Sequence, residues 1–276
     1  MPDRLAVSTN SFHSYTFDEA LKGIAAGGYT SVELSSVPGW TEHVARDASD
    51  ADLDAVRQQV RDAGLDAISM SGHSDLASDA GIADFRKAIH IARHLNIPYL
   101  TTSTGGHDDS STGSVDDQRR EFLNRFGPLA DEAAEAGINI CIETHGGLSA
   151  TGALAAELVR AIDKPNVGIN YDTANVIFYG HTRPEEDIEA ALPYITHMHL
   201  KDKAGGDQEW NFPAIGSGNV DFVTIFDILR KGDFHGPISI ELEFQGEPWP
   251  PLEEVNTAVA DSYAFIRTYL PEEQLP

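Results

Sequence analysis

Carboxylates and histidines gather where apolar runs end in the second half of the chain. One run closes in Glu143-Thr144-His145 and the next in Tyr171-Asp172-Thr173. A third holds His197-Met198-His199 and continues into Lys201-Asp202, and a fourth ends in Glu241-Leu242-Glu243. If these runs are strands, alternation puts Glu143 with His145, His197 with His199, and Glu241 with Glu243 on shared faces. Glu143, Asp172, His199 and Glu241 then stand at the mouths of successive strands, around one point. Three carboxylates and an imidazole make a hard, oxygen-rich set. It suits one divalent cation, Mn2+ first, with Mg2+, Co2+ or Zn2+ as alternatives. Without a cation such clustered carboxylates repel one another.

The chemistry open to that set includes proton removal beside a carbonyl. A divalent ion polarises the carbonyl, and a nearby base takes the proton. His145 is the expected base, because it follows Glu143 on the same face and imidazole titrates near neutrality. His197 lies deeper and is expected to support the site rather than form it. His73, His107 in the glycine-rich TGGHDDSSTGS segment, and Lys201 are candidates to bind substrate; Lys201 can equally pair with acids near Asp202. Trp40, Trp210 and Trp249 fall in loops after strands, where they can stack on a sugar or an aromatic group. Cys141 reads as a small, inert core residue.

The elements that must position these residues follow from the apolar runs. Eight occur, starting at Leu5, Ser31, Ala67, Ile97, Ile138, Val167, Ile195 and Ile238. Segments of helical period separate them, such as Leu53, Val56 and Val60, or Leu252, Val255, Val259, Tyr263, Ile266 and Leu270. Thr16 and Glu19 have capping-box spacing. Gly27-Gly28, Gly64, Gly137 and Gly232 are expected to close helices in the left-handed conformation. Eight strand–helix units predict a single (β/α)8 TIM barrel, one domain over 1–276. A doubly wound sheet is the alternative, but no phosphate-binding glycine fingerprint follows the first strand.

Composition narrows the function. The chain has 276 residues, 41% of them hydrophobic, enough for a full core. Nineteen Lys and Arg against 44 Asp and Glu give a net charge of −25. That field repels nucleic acid and anionic membranes, so no nucleic acid partner is expected. A nuclease on such a barrel would need more metals and a basic groove. One cysteine rules out an intramolecular disulfide framework. No membrane span and no signal-peptide layout are visible, so a cytoplasmic location is expected.

The motifs IETHGG, YDTAN, HMHLKD and ISIELE, in this order, resemble the xylose isomerase-like barrels of the sugar phosphate isomerase and epimerase group. The resemblance covers essentially the whole chain. It implies metal ligands at the ends of strands five to eight, here Glu143, Asp172, His199 and Glu241. Many epimerases of the group carry a histidine where Asn175 stands, and an arginine that KDKAGGDQ lacks. More narrowly, His145, HMHLKDK and EWNFPAIGSGNVDF are similar to the large catalytic subunit of bacterial C-glycoside deglycosidases. That resemblance implies a 3-oxo-glucoside lyase with a small β subunit as partner. His145 would take the C2 proton and the aglycone would leave C1. The alternative is a keto-sugar isomerase or epimerase in which Glu143 and Glu241 carry the protons.

Overall fold

The computed structural model describes residues 4–105, 114–246 and 248–270. Strands and helices alternate along the chain. In order they are β1 (Leu5–Ser8), α1 (Phe17–Ala26), β2 (Ser31–Ser35), α2 (Asp50–Asp62), β3 (Asp66–Ser71), α3 (Asp79–Leu95), β4 (Tyr99–Thr102), α4 (Val115–Glu135) and β5 (Asn139–Glu143). The second half continues with α5 (Gly152–Ile162), β6 (Val167–Asp172), the single turn α6 (Asn175–Phe178), α7 (Pro184–Ala191), β7 (Ile195–Leu200), α8 (Phe222–Lys231), β8 (Ile238–Ile240) and α9 (Leu252–Tyr269). All neighbouring strands pair in parallel, and β8 pairs back onto β1. The sheet is a closed (β/α)8 barrel, so the open doubly wound alternative does not apply.

Each strand faces both the interior and the helical layer, which is why each reads as a nearly unbroken apolar run. The stripes of α2 and α9 seat on this core: Leu53, Val60, Val255, Val259 and Ile266 are buried. Thr16 caps α1 through the expected reciprocal bonds with Glu19. Gly28, Gly64 and Gly137 take left-handed φ of 96°, 75° and 74°. Gly27 and Gly232 do not: they close α1 and α8 from right-handed φ of −71° and −84°, and Gly28 and Asp233 take the left-handed place, Asp233 at 55°. Asn96 and Asp163 cap α3 and α5 in the same way, since short polar side chains tolerate that region.

Two ladders slip by one residue. β2 and β3 pair Val32 with Ala67 and then Glu33 with Ser69, skipping Ile68. β6 and β7 pair Ile169 with Ile195 and then Asn170 with His197, skipping Thr196. Such bulges re-aim the side chains that follow. Thr196 lies over Gly168, where a Cβ would meet its Oγ1 at 2.2 Å.

β8 is shorter than its apolar run. After Ile240 the Leu242 N–H turns to the Ser11 hydroxyl at 2.9 Å, and Glu243 bridges to Phe212. Glu241 and Glu243 thus sit on the rim just past the ladder.

Candidate metal centre

Glu143 ends β5, Asp172 ends β6, His199 is the penultimate residue of β7, and Glu241 follows β8. All four are buried, and one donor atom from each lies within 4.8 Å of the others. His199 Nδ1 stands 3.4 Å from Glu143 Oε1, 3.6 Å from Glu241 Oε2 and 3.9 Å from Asp172 Oδ2.

Most of the carboxylate oxygens of these groups also have other partners. Asp172 Oδ1 accepts the backbone N–H groups of Ala174 and Asn175, each at 2.8 Å. Glu143 Oε1 accepts from Asn175 Nδ2 at 3.0 Å, and its Oε2 lies 2.8 Å from His73 Nε2. Glu241 Oε1 accepts from Asn10 Nδ2 at 3.0 Å, and its Oε2 from the Lys201 ammonium at 2.6 Å. Asp172 Oδ2 and His199 Nδ1 are buried without a hydrogen-bond partner. His199 Nδ1 without a hydrogen bond, and Asp172 Oδ2 with only the Lys201 ammonium at 3.4 Å, facing two further carboxylates, fit a divalent cation, because buried polar atoms are otherwise almost always paired.

The electrostatics agree. With protein groups alone, burial pushes the Asp172 carboxyl up to about 7, Lys201 pulling it down and Glu143 and Glu241 pushing it up. Burial works against a charged His199, yet Glu33, Glu241 and Glu143 outweigh it and hold that imidazole well above its usual range. Burial also opposes a carboxylate at Glu143, but His199 and then His73 hold it well below the ordinary value. The raised His199 marks a place that attracts positive charge, and the lowered Glu143 stays a carboxylate there.

Lys201 is buried, with Nζ 2.6 Å from Glu241, 2.7 Å from Glu243 and 3.4 Å from Asp172. Its ion pairs are with these rim acids, not in the neighbourhood of Asp202. Asp202 instead accepts the backbone N–H groups of Lys203, Gly216, Gly218 and Val220, which pins the β7–α8 loop.

His145 is half-buried just beyond β5, its ring 5.4 Å from that of His73 and 4.8 Å from that of Tyr179. It lines a small inner pocket of about 60 Å³ with Glu143, Glu241 and Lys201. Among the described residues that pocket shares His73, His145 and Trp40 with a cleft of about 980 Å³. Trp40 and Trp210 line the cleft, edge to face at 6.3 Å. Trp249 does not: it is buried, with Nε1–H donating to the Ser11 carbonyl at 3.2 Å, so it packs the barrel mouth instead of offering a stacking face. His73 reaches the site, but its Nε2 is directed at Glu143. His107 lies outside the described residues. Cys141 is buried in the core, its thiol pushed up to about 12 by burial.

Two participants, Asn10 and Glu33, went unnoticed in the sequence, and Glu243 was named there without a role. Asn10 and Glu243 orient Glu241 and Lys201 from the rim. Glu33, in β2, lies 2.9 Å from His199 Nε2 across the barrel interior. Its signal was an acid within the otherwise apolar run SVELS.

The profile of the xylose isomerase-like TIM barrel family matches residues 21–269. The inosose dehydratase of Histophilus somni is 24% identical over 262 residues, covering 86% of this chain and 86% of that protein. The ketose 3-epimerase of Arthrobacter globiformis is 27% identical over 173 residues, covering 60% of this chain and 52% of that protein. The chain spans about half the length of several curated relatives it matches. The structure of a D-psicose 3-epimerase crystallised in the presence of D-fructose aligns with a TM-score of 0.79 at 20% identity, over 96% of this chain and 99% of that one. At that identity the likeness is one of fold.

Proposed function

Because the chain belongs to the xylose isomerase-like TIM barrel family, we propose that it is a divalent-metal-dependent keto-sugar isomerase or epimerase. The observation that carries the reading is the buried convergence of Glu143, Asp172, His199 and Glu241, with Asp172 Oδ2 and His199 Nδ1 left without a hydrogen bond. The names of the relatives support a sugar substrate and a reaction that begins by removing a proton next to a carbonyl.

The four residues would hold the ion, with Mn2+ the best match to three carboxylates and one imidazole. Bound there, it supplies Lewis-acid polarisation of a carbonyl, an effect of about several kcal/mol. The protein's own groups do the rest. Asn175 and His73 fix the Glu143 carboxylate, and Asn10 and Lys201 fix that of Glu241. Carboxylates held this rigidly can take a proton from carbon and return it without first reorganising. The Lys201 ammonium offsets negative charge that develops on a sugar oxygen. Trp40 and the other cleft walls limit water around the reacting carbon.

A second reading, elimination, draws on His145. Its ring lines both the inner pocket and the cleft, where a base could meet the proton at C2 of a 3-oxo-glucoside while a group leaves C1. Asn175, which bonds Glu143 where many epimerases have a histidine, favours this reading too. The dehydratase relative is named for a reaction of this type, whereas no relative reported above is named a deglycosidase. Only the deglycosidase form of this reading calls for a small β subunit.

Incubation in deuterated water separates the two. Metal-loaded protein is given free ketoses, an inosose, and a 3-oxo-glucoside with a candidate β subunit. The isomerase reading expects a new ketose deuterated at the carbon that reacts. Loss of water or release of aglycone without ketose interconversion would move the assignment to elimination. Inertness toward every substrate would contradict both.

A further inference from the structure

Glu33 is a fully buried carboxylate in β2, and it meets β7 across the barrel interior. Its Oε1 lies 2.9 Å from His199 Nε2. Its Oε2 accepts from Ser69 Oγ at 2.9 Å and lies 3.2 Å from His197 Nε2. His197 Nδ1 in turn lies 2.8 Å from the Asn170 amide, which can meet it through either end. TIM-barrel interiors are mostly filled by branched apolar side chains. A buried acid here, braced by three polar neighbours, calls for a reason beyond packing.

The reason lies in which nitrogen of His199 carries hydrogen. A carboxylate only accepts, so the nitrogen facing Glu33 must donate, and that nitrogen is Nε2. A neutral imidazole has one N–H. In the metal-loaded protein that N–H is spent on Glu33, so Nδ1 would offer its lone pair to a cation held among Glu143, Asp172 and Glu241. Resting on the metal reading above, we infer that Glu33 is a positioning residue that holds His199 as an Nδ1 ligand of the metal. It fixes the ring's tautomer and its rotation and makes Nδ1 a stronger donor, as carboxylates behind metal-bound histidines do. Both ladder slips fall at this network: one precedes Glu33 and its partner Ser69, the other precedes Asn170 and its partner His197. Five side chains from β2, β3, β6 and β7 meet in one carboxylate–imidazole chain.

The test measures metal binding, not turnover. Chelator-stripped protein is titrated with Mn2+ by calorimetry, for the wild type and for Glu33→Gln with folding checked by circular dichroism. The wild type should take up one ion at this centre, and Glu33→Gln should raise its Kd about 10- to 100-fold. A measurement without any variant stands beside it: long-range proton–nitrogen correlation spectra of histidine-labelled, zinc-loaded wild type. These should show one imidazole protonated at Nε2 and metal-bound at Nδ1, and they decide the question if Glu33→Gln does not fold. An unchanged Kd in folded Glu33→Gln, or Nε2 on the metal, would overturn the role of Glu33 while leaving the metal centre intact. So would a second ion that His197→Gln abolishes, since Glu33, His197 and His199 would then be ligands of that ion. A wild type that binds no ion would remove the metal reading, and this inference with it.

Discussion

Among the individual side chains, Glu241 and His145 separate the binding of the ion from the use of it. Glu241 offers Oε2 to both the His199–Asp172 cluster and Lys201. Glu241→Gln keeps the shape but gives up the charge, so metal affinity should fall at least tenfold and turnover by about 10²-fold or more, the scale of a lost proton-transfer group. Calorimetry and a ketose assay read the two quantities separately. His145→Ala should keep full metal content, because no His145 atom belongs to the four-residue cluster. A fall in turnover of about 10²–10⁴ in that variant, with the metal intact, would make His145 the base and favour elimination. The four clustered residues were legible in the sequence because each closes, or nearly closes, an apolar run and the runs are consecutive. Glu33 was not, because its contact crosses the barrel from β2 to β7 and depends on two bulges that no local pattern announces. Trp249 misled for a related reason: being in a loop does not say whether a side chain faces solvent or plugs the barrel mouth.

The elements that aim these residues carry their own consequences. Strand order and the existence of nearly every helix could be read from apolar period, since strands buried on both faces are continuous apolar runs. Strand ends could not. β8 stops at Ile240 because, after Glu241, the amides of Leu242 and Glu243 find partners in Ser11 and Phe212, a choice made by distant loops. The bulge at Thr196 is the element on which the aim of His197 and His199 depends. Gly168→Ala would drive a Cβ to 2.2 Å from Thr196 Oγ1 and 2.4 Å from its Cγ2. Overpacking of that kind costs about 1–3 kcal/mol. Urea denaturation should show this loss in Gly168→Ala, and adding Thr196→Ala should restore much of it, since the clashing atoms belong to that side chain. Unchanged stability in the single variant would mean that the bulge yields freely and does not hold β7 in place.

At the scale of the whole molecule, an acidic chain folds a (β/α)8 barrel whose mouth buries several carboxylates beside His199 and Lys201. Native-state binding adds its free energy to stability, about 2.7 kcal/mol with free ion at 100 times Kd. Mn2+ at that level should raise the denaturation free energy of the wild type by this amount and that of Glu241→Gln by no more than about 1.4 kcal/mol, the value for a tenfold higher Kd. Cys141 offers an independent gauge of the same barrel. It is the chain's one cysteine, and burial raises its thiol to about 12. At pH 8 the native protein should react with a thiol reagent only as fast as it unfolds, and the unfolded chain should react at one thiol per molecule. Rapid labelling of the native state would show that the barrel opens far more readily than its packing implies.

The most direct test of the metal centre is anomalous diffraction from crystals grown with Mn2+. The account predicts one strong manganese peak within the barrel mouth, bonded to Glu143, Asp172, His199 through Nδ1, and Glu241. A barrel mouth without that peak at saturating Mn2+, with the four side chains still converging on empty or water-filled space, would contradict it.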